Sequence, residues 1–160
     1  MKKTKKILVF VLAMAMVLGI CSTAFAAASW STFNVNKTSS YNIYDTFGIQ
    51  NVLKAFDYTA NQKVGDVDGD YGTKTKNAVI YFQKYNGGGD ILPISADGIT
   101  GKNTWTKMYN SLFQVSYNGT KYYAGYSYDP HDLTWVARIN ASTGRWQTYN
   151  QTGAWVNFGK

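Results

Sequence analysis

Residues 66–75 read "DVDGDYGTKT", and residues 96–104, "ADGITGKNT", repeat part of the same stretch. The first copy offers Asp66, Asp68 and Asp70 at positions 1, 3 and 5 of a calcium loop. Such a loop also needs glycine at position 6 and a bidentate glutamate at position 12. Position 6 is Tyr71, with Gly72 one place late, and position 12 is Asn77. The second copy holds a single carboxylate, Asp97. What recurs is Asp68, Gly69, Gly72 and Thr75 in the first copy and Asp97, Gly98, Gly101 and Thr104 in the second. Glycine permits the positive φ of a tight turn, and a turn aspartate accepts nearby backbone N–H groups. Polar residues after the second glycine are expected to satisfy the first N–H groups of a following helix. The stretch predicts a turn leading into a helix, used twice, with no metal and no cofactor.

Helices are expected on both sides of these turns. Ile49, Val52, Leu53 and Phe56 recur at the spacing of one helical face, with Asp45 or Thr46 as its cap. A second helix is predicted from about residue 74 to 85, with Ala78, Val79 and Phe82 inward. A third follows Gly101, with Trp105, Met108, Tyr109 and Leu112 at helical spacing and Trp105 in the core. The run "NGGGD" at 86–90 is a loop, because three glycines cost too much entropy inside an element. These elements predict a small three-helix bundle over 41–112.

After residue 112 the pattern changes. "QVSYNGTKYYAGYSY" sets Asn118-Gly119 between strand-like flanks, a two-residue hairpin signal. "TWVARINASTGRWQTY" repeats the plan with a longer turn, and "AWVNF" supplies a last short run. The expectation for 113–160 is an antiparallel meander of four or five strands, too small for an independent core and packed on the helices. The fold class is therefore α+β, a helical bundle followed by a β meander.

The chain opens with Lys2, Lys3, Lys5 and Lys6, an apolar run from Ile7 to Ile20, and Ala24-Phe25-Ala26. That is the pattern of a secretory signal peptide over 1–26, with 27–40 as a polar linker. Cleavage after Ala26 removes Cys21, so no disulfide is expected. Four of the sixteen basic residues also leave, so twelve then face nine aspartates, a net charge of +3. No clustered basic stripe marks a nucleic-acid binder, and no later segment is long and apolar enough to span a membrane. A secreted monomer is expected.

Composition also narrows the catalytic options. No glutamate occurs, so paired-carboxylate chemistry would rest on aspartates alone. His131 is the single histidine, too few for a zinc hydrolase. His131 with Asp129 or Asp132 could form part of a triad, but no G-x-S-x-G nucleophile motif is present. The reading is a non-enzyme.

Taken together, "IQNVLKAF", "VDGDYGTKTKNAVIYFQ" and "ADGITGKNTWTKMY" resemble the peptidoglycan-binding domain of the three-helix type. The match runs through Ile49-Gln50, then Asp68, Gly69, Gly72, Thr75, Ala78, Val79, Phe82 and Gln83, then Asp97, Gly98, Gly101, Thr104 and Trp105. The resemblance implies a non-catalytic module that holds its carrier on peptidoglycan or a related cell-wall glycan. The chain departs from the family in the longer "YNGGGDILPIS" loop and in having no enzyme-sized partner domain. A small wall hydrolase, an accessory subunit of one, or a wall-anchored protein-interaction module are the competing readings. Tyr71, Tyr85 and Asn103 beside the turns are the expected exposed ligand contacts in the helical part. Tyr126, Trp135, Trp146 and Trp155 are the candidates in the aromatic tail, because flat rings with polar edges stack on sugars.

Overall fold

The structure, a computed structural model, describes residues 30, 42–85, 93–126 and 133–159. The expected signal peptide with Cys21, the linker apart from Trp30, the triglycine loop, and His131 with Asp129 and Asp132 lie outside these residues. Four helices come first: α1 (Ile43–Phe56), α2 (Tyr58–Val64), α3 (Thr73–Lys84) and α4 (Lys102–Asn110). Five strands follow: β1 (Phe113–Tyr117), β2 (Thr120–Tyr126), β3 (Leu133–Ile139), β4 (Trp146–Tyr149) and β5 (Trp155–Asn157). The α+β class holds, with four described helices in place of the expected three.

The helix starts correct two expectations. Asn42, not Asp45 or Thr46, caps α1, its side chain accepting from the Tyr44 N–H at 3.0 Å. Asp45 instead accepts from the Gly159 N–H at 2.6 Å, across the molecule. Gly72 and Gly101 occupy the N-cap positions of α3 and α4, and no side chain caps either helix. The threonines after these glycines are committed elsewhere, as described below.

The additional helix, α2, has its own start and stop. Asp57 is extended, which breaks α1, and its carboxylate accepts from the Ala60 N–H at 2.6 Å and the Tyr81 hydroxyl at 2.8 Å. Gly65 ends the helix at φ 69°, the left-handed conformation that glycine adopts without a Cβ clash. Only Ala60 and Val64 of α2 are buried, so its apolar signal in the sequence is short.

The strands form one antiparallel sheet in the order β1-β2-β3-β4-β5. Asn118 and Gly119, at φ 47° and 71°, make the first hairpin, as the dipeptide predicted. The inner face of the sheet lies on α1, which contacts β2, β3 and β4. Gly48 of α1 faces the Phe158 ring, Asn51 donates to Thr148 Oγ1 at 3.0 Å and to the Tyr149 carbonyl at 2.7 Å, and Ala55 abuts Gly125. α1 is buried on two sides: Ile49, Val52 and Leu53 enter the core, while the small and polar stripe Asp45, Gly48, Asn51, Ala55 receives the sheet.

Trp30 falls inside the polar stretch at 27–40 and is fully buried. Its ring meets Trp105 at 5.7 Å and Tyr109 at 5.8 Å from α4, and Trp146 and Phe158 at 5.4 Å each from the sheet side. Edge-on aromatic pairs of this kind add to the stabilisation from area burial. One core therefore joins the N-terminal segment, the helices and the sheet.

Candidate functional site

The repeated turns are built by one device, used twice. Gln50 of α1 points its amide into the first turn. Its Nε2 donates to Asp68 Oδ1 at 2.7 Å, the Asp70 carbonyl at 3.2 Å and Thr75 Oγ1 at 3.1 Å. Its Oε1 accepts from the Gly69 N–H at 2.9 Å. Gln83 of α3 does the same to the second turn. Its Nε2 donates to Asp97 Oδ1 at 2.9 Å, the Ile99 carbonyl at 3.0 Å and Thr104 Oγ1 at 3.0 Å, and its Oε1 accepts from the Gly98 N–H at 2.9 Å.

The internal bonds of the turns match as well. Asp68 accepts from the Asp70 N–H at 2.9 Å, and Asp97 from the Ile99 N–H at 2.8 Å. Thr75 donates to the Asp70 carbonyl at 3.0 Å, and Thr104 to the Ile99 carbonyl at 3.1 Å. Each glutamine is buried, so its amide has no water to fall back on and the turn must supply every partner. Gly69 and Gly98 sit at φ 78° and 73°, and a Cβ at Gly69 would also run into Ile43 and Phe47. In the shared Asp-Gly-x-x-Gly-x-x-Thr pattern, the aspartate, the first glycine and the threonine are thus the groups that a buried glutamine from a preceding core helix requires, and the second glycine starts the next helix.

The electrostatics follow from the same contacts. The Gln50 amide hydrogen bond holds the Asp68 carboxyl below the usual carboxylate range, and backbone N–H groups act in the same direction. Lys107 of α4 is buried and donates from Nζ to the Gln83 carbonyl at 3.0 Å and the Tyr85 carbonyl at 2.8 Å, closing the end of α3. Burial draws that ammonium below the ordinary lysine range. Among the described residues no group of three or more His, Cys, Asp or Glu side chains is placed to hold a metal ion.

The two turns lie against each other. Tyr71 in the first donates its hydroxyl to the Gly98 carbonyl of the second at 2.9 Å and lies 3.1 Å from Thr100 Oγ1. Tyr71 is half-buried against the core, so it clamps the turns rather than standing exposed beside them as expected. Tyr85 is also half-buried, with its ring at 4.8 Å from Phe56. Asn103 is exposed, as expected.

A shallow cavity opens beside each turn. One of about 270 Å³ is lined by Asp97, Ser95, Asn103 and Thr104 among others, and one of about 290 Å³ by Asp66, Asp70, Lys74 and Thr75 among others. Aligning the turns sets Lys102 against Thr73 and Asn103 against Lys74, so the two equivalent cavities differ in two exposed side chains at the start of each helix.

The tail candidates separate. Trp146 is buried in the inner face, against Trp30 and Tyr123, which corrects its expected exposure; Thr148, two places on, faces inward with it. Trp135 is exposed and Trp155 is half-buried, both on the outer face. Tyr126 ends β2, and its side chain lies outside the described part. Sequence reasoning missed three neighbours of these tryptophans. Tyr122 meets Trp135 at 5.2 Å, Tyr149 meets Trp155 at 3.8 Å, and the Arg138 guanidinium lies 4.4 Å from the Trp155 ring centre. Strand alternation alone could not give this set, because a bulge in β3 shifts the register between Tyr123 and Ala124.

The family model described as "Putative peptidoglycan binding domain" matches residues 48–108. The match covers both glutamines, both turns and the helices α2, α3 and most of α1 and α4. It stops before the sheet. No curated protein and no solved structure matches the chain.

Proposed function

We propose that the chain is a secreted, non-catalytic protein of the bacterial cell wall whose helical part binds peptidoglycan. The observation that carries this reading is the family match over 48–108, which spans the two glutamine-held turns. The shallow polar cavities beside the turns support contact with an extended polymer rather than enclosure of a small molecule. The N-terminal pattern of lysines, apolar run and Ala-x-Ala supports secretion. No helix among the described residues is long and apolar enough to cross a membrane.

Asn103 and Lys74 are exposed side chains at equivalent positions of the two cavities, with which each would meet the wall. The test is co-sedimentation of chain 27–160 with purified peptidoglycan, beside zymography on the same material. Wild type is expected in the pellet without clearing the gel, and Lys74→Ala with Asn103→Ala is expected to shift it to the supernatant with the fold intact. Clearing by the purified protein would overturn the non-catalytic reading, and absence from the pellet would overturn wall binding.

A further inference from the structure

The outer face of the sheet is not part of the matched module, and its composition is unusual. Residues paired across antiparallel strands share a face. Tyr122 pairs with Arg138 and Arg138 with Gln147; Gln147 pairs with Asn157, and Tyr149 with Trp155. All of these lie on the side away from α1. β3 would ordinarily put Trp135 on the inner face with Ala137. The register shift opposite Tyr123/Ala124 leaves Val136 without a cross-strand partner, and Val136 and Ala137 are buried in succession. A bulge of this kind re-aims a side chain. Trp135 therefore joins Tyr122 outside, paired with Ala124 and 37% exposed.

The polar groups on this face are held in place. Arg138 Nε donates to Gln147 Oε1 at 2.9 Å, and Gln147 Nε2 donates to Asn157 Oδ1 at 3.1 Å. The guanidinium lies over Trp155, and among the described residues no carboxylate pairs with it. Charge is distributed to match. Between residues 41 and 112 the chain has seven lysines and seven aspartates, whereas residues 113–160 carry Lys121, Arg138, Arg145 and Lys160 against Asp129 and Asp132.

We propose that this face is a second binding surface, for a polysaccharide chain bearing carboxylate groups. Trp135 and Tyr122 offer ring faces for stacking on sugar rings, the exposed Asn157 amide, held by the buried Gln147, is there for hydroxyl and N-acetyl groups, and Arg138 receives the carboxylate. A guanidinium supplies five N–H donors in a planar fork that fits a carboxylate, and this one is pre-oriented by its amide and its ring. Five strands at about 4.8 Å spacing make the face about 19 Å wide, room for several linked rings. A protein partner would more ordinarily find an apolar centre with charge at the rim. Here the cation is at the centre, and the apolar residues around it are aromatic. The inference does not depend on wall binding by the helical part.

The test is affinity electrophoresis of chain 27–160 through gels containing carboxymethyl cellulose or the uncharged hydroxyethyl cellulose, which share one backbone. Retardation is expected with the charged polymer and to be much weaker with the neutral one. Trp135→Ala and Arg138→Gln are each expected to weaken binding to carboxymethyl cellulose about tenfold, the effect of losing one anchoring contact. Trp135 is exposed and Arg138 is half-buried with one side-chain hydrogen bond among the described residues, to Gln147, so both variants should keep the wild-type circular dichroism. Arg145→Gln, in the exposed turn between β3 and β4, removes the same charge off the face and is expected to change nothing. Equal loss from Arg145→Gln and Arg138→Gln would reduce the effect to net charge and overturn the proposal. Equal retardation by both polymers, or by neither, would overturn it as well. Lys74→Ala with Asn103→Ala should leave this binding intact, so failure of the sheet surface and failure of the wall-binding reading register separately.

Discussion

Gln50 and Gln83 each make four hydrogen bonds from a buried amide to a turn. Alanine at either position leaves a glycine N–H, a threonine hydroxyl and a carbonyl without that partner. With a net worth near 1 kcal/mol per bond and part of the loss recovered by water at the exposed aspartates, Gln50→Ala and Gln83→Ala should each cost about 2–3 kcal/mol. Urea denaturation of the two variants measures this, and because the bond sets correspond, the two midpoints should fall together. Asp68 gives a pH test of the same device. Its carboxyl is held below the usual carboxylate range, chiefly by the Gln50 amide. A depressed folded value means the unfolded chain binds the proton more readily. The contribution is thus complete above the unfolded value and lost as pH falls through the folded one. Asp68→Asn should therefore be less stable than wild type at about pH 7, with the two thermal midpoints converging as pH falls through the folded value of Asp68. Parallel curves would show that the charge of Asp68 has no role in the turn.

At the scale of elements, the close approach of β2 to α1 decides how the sheet sits. A Cβ at Gly125 would lie 2.8 Å from the Ala55 Cβ and press on the Ala55 carbonyl, which as helix backbone cannot turn aside. Gly119 instead has open space around it and needs glycine only for its φ of 71°. Gly125→Ala is expected to cost about 3 kcal/mol through overpacking and Gly119→Ala about 1 kcal/mol through backbone strain. Thermal unfolding of the pair separates packing from conformation. These elements also mark what was legible in the sequence. The Ile49, Val52, Leu53, Phe56 period gave α1, and Asn118-Gly119 gave the first hairpin, because a repeat of apolar side chains and a positive-φ dipeptide are local signals. The second buried face of α1 was not legible: Asp45, Gly48 and Asn51 are small or polar, and their burial depends on strands about a hundred residues away. α2 escaped for a related reason. Its Asp57 cap and Gly65 stop are present, but two buried side chains are too few to set a period. Of the candidate site, the turn aspartates, glycines and threonines were readable because they recur. The glutamines that hold them were readable only as marks of a family. The outer-face set around Trp135 required the β3 bulge, which no alternation of residue types announces.

For the molecule as a whole, the shared core changes what a division at residue 112 would mean. The sequence pattern suggests two parts, a helical bundle and a meander, that could be cut apart and assayed. Yet Trp30 has ring partners from α4 and from the sheet side, Asn51 and Asp45 bond across to Thr148 and Gly159, and Gly48 lies under Phe158. Removing the sheet would expose Trp105, Trp30 and the second face of α1 to water at once. Removing Trp30 would open a hole where three segments of the chain meet. A buried tryptophan replaced by alanine costs about 3–5 kcal/mol, a large share of the stability of a small domain. Trp30→Ala in chain 27–160 should accordingly lower the denaturant midpoint strongly while leaving a single transition, since helices and sheet unfold together. Far-ultraviolet circular dichroism and tryptophan fluorescence should then report coincident curves. Two separated transitions, with the helical signal surviving the loss of the aromatic one, would mean that the bundle stands without the sheet. Coincidence would mean that the glutamine-held turns owe their rigidity partly to a tryptophan outside the matched module. The wall-facing surface and the outer aromatic face would then be two sides of one folding unit.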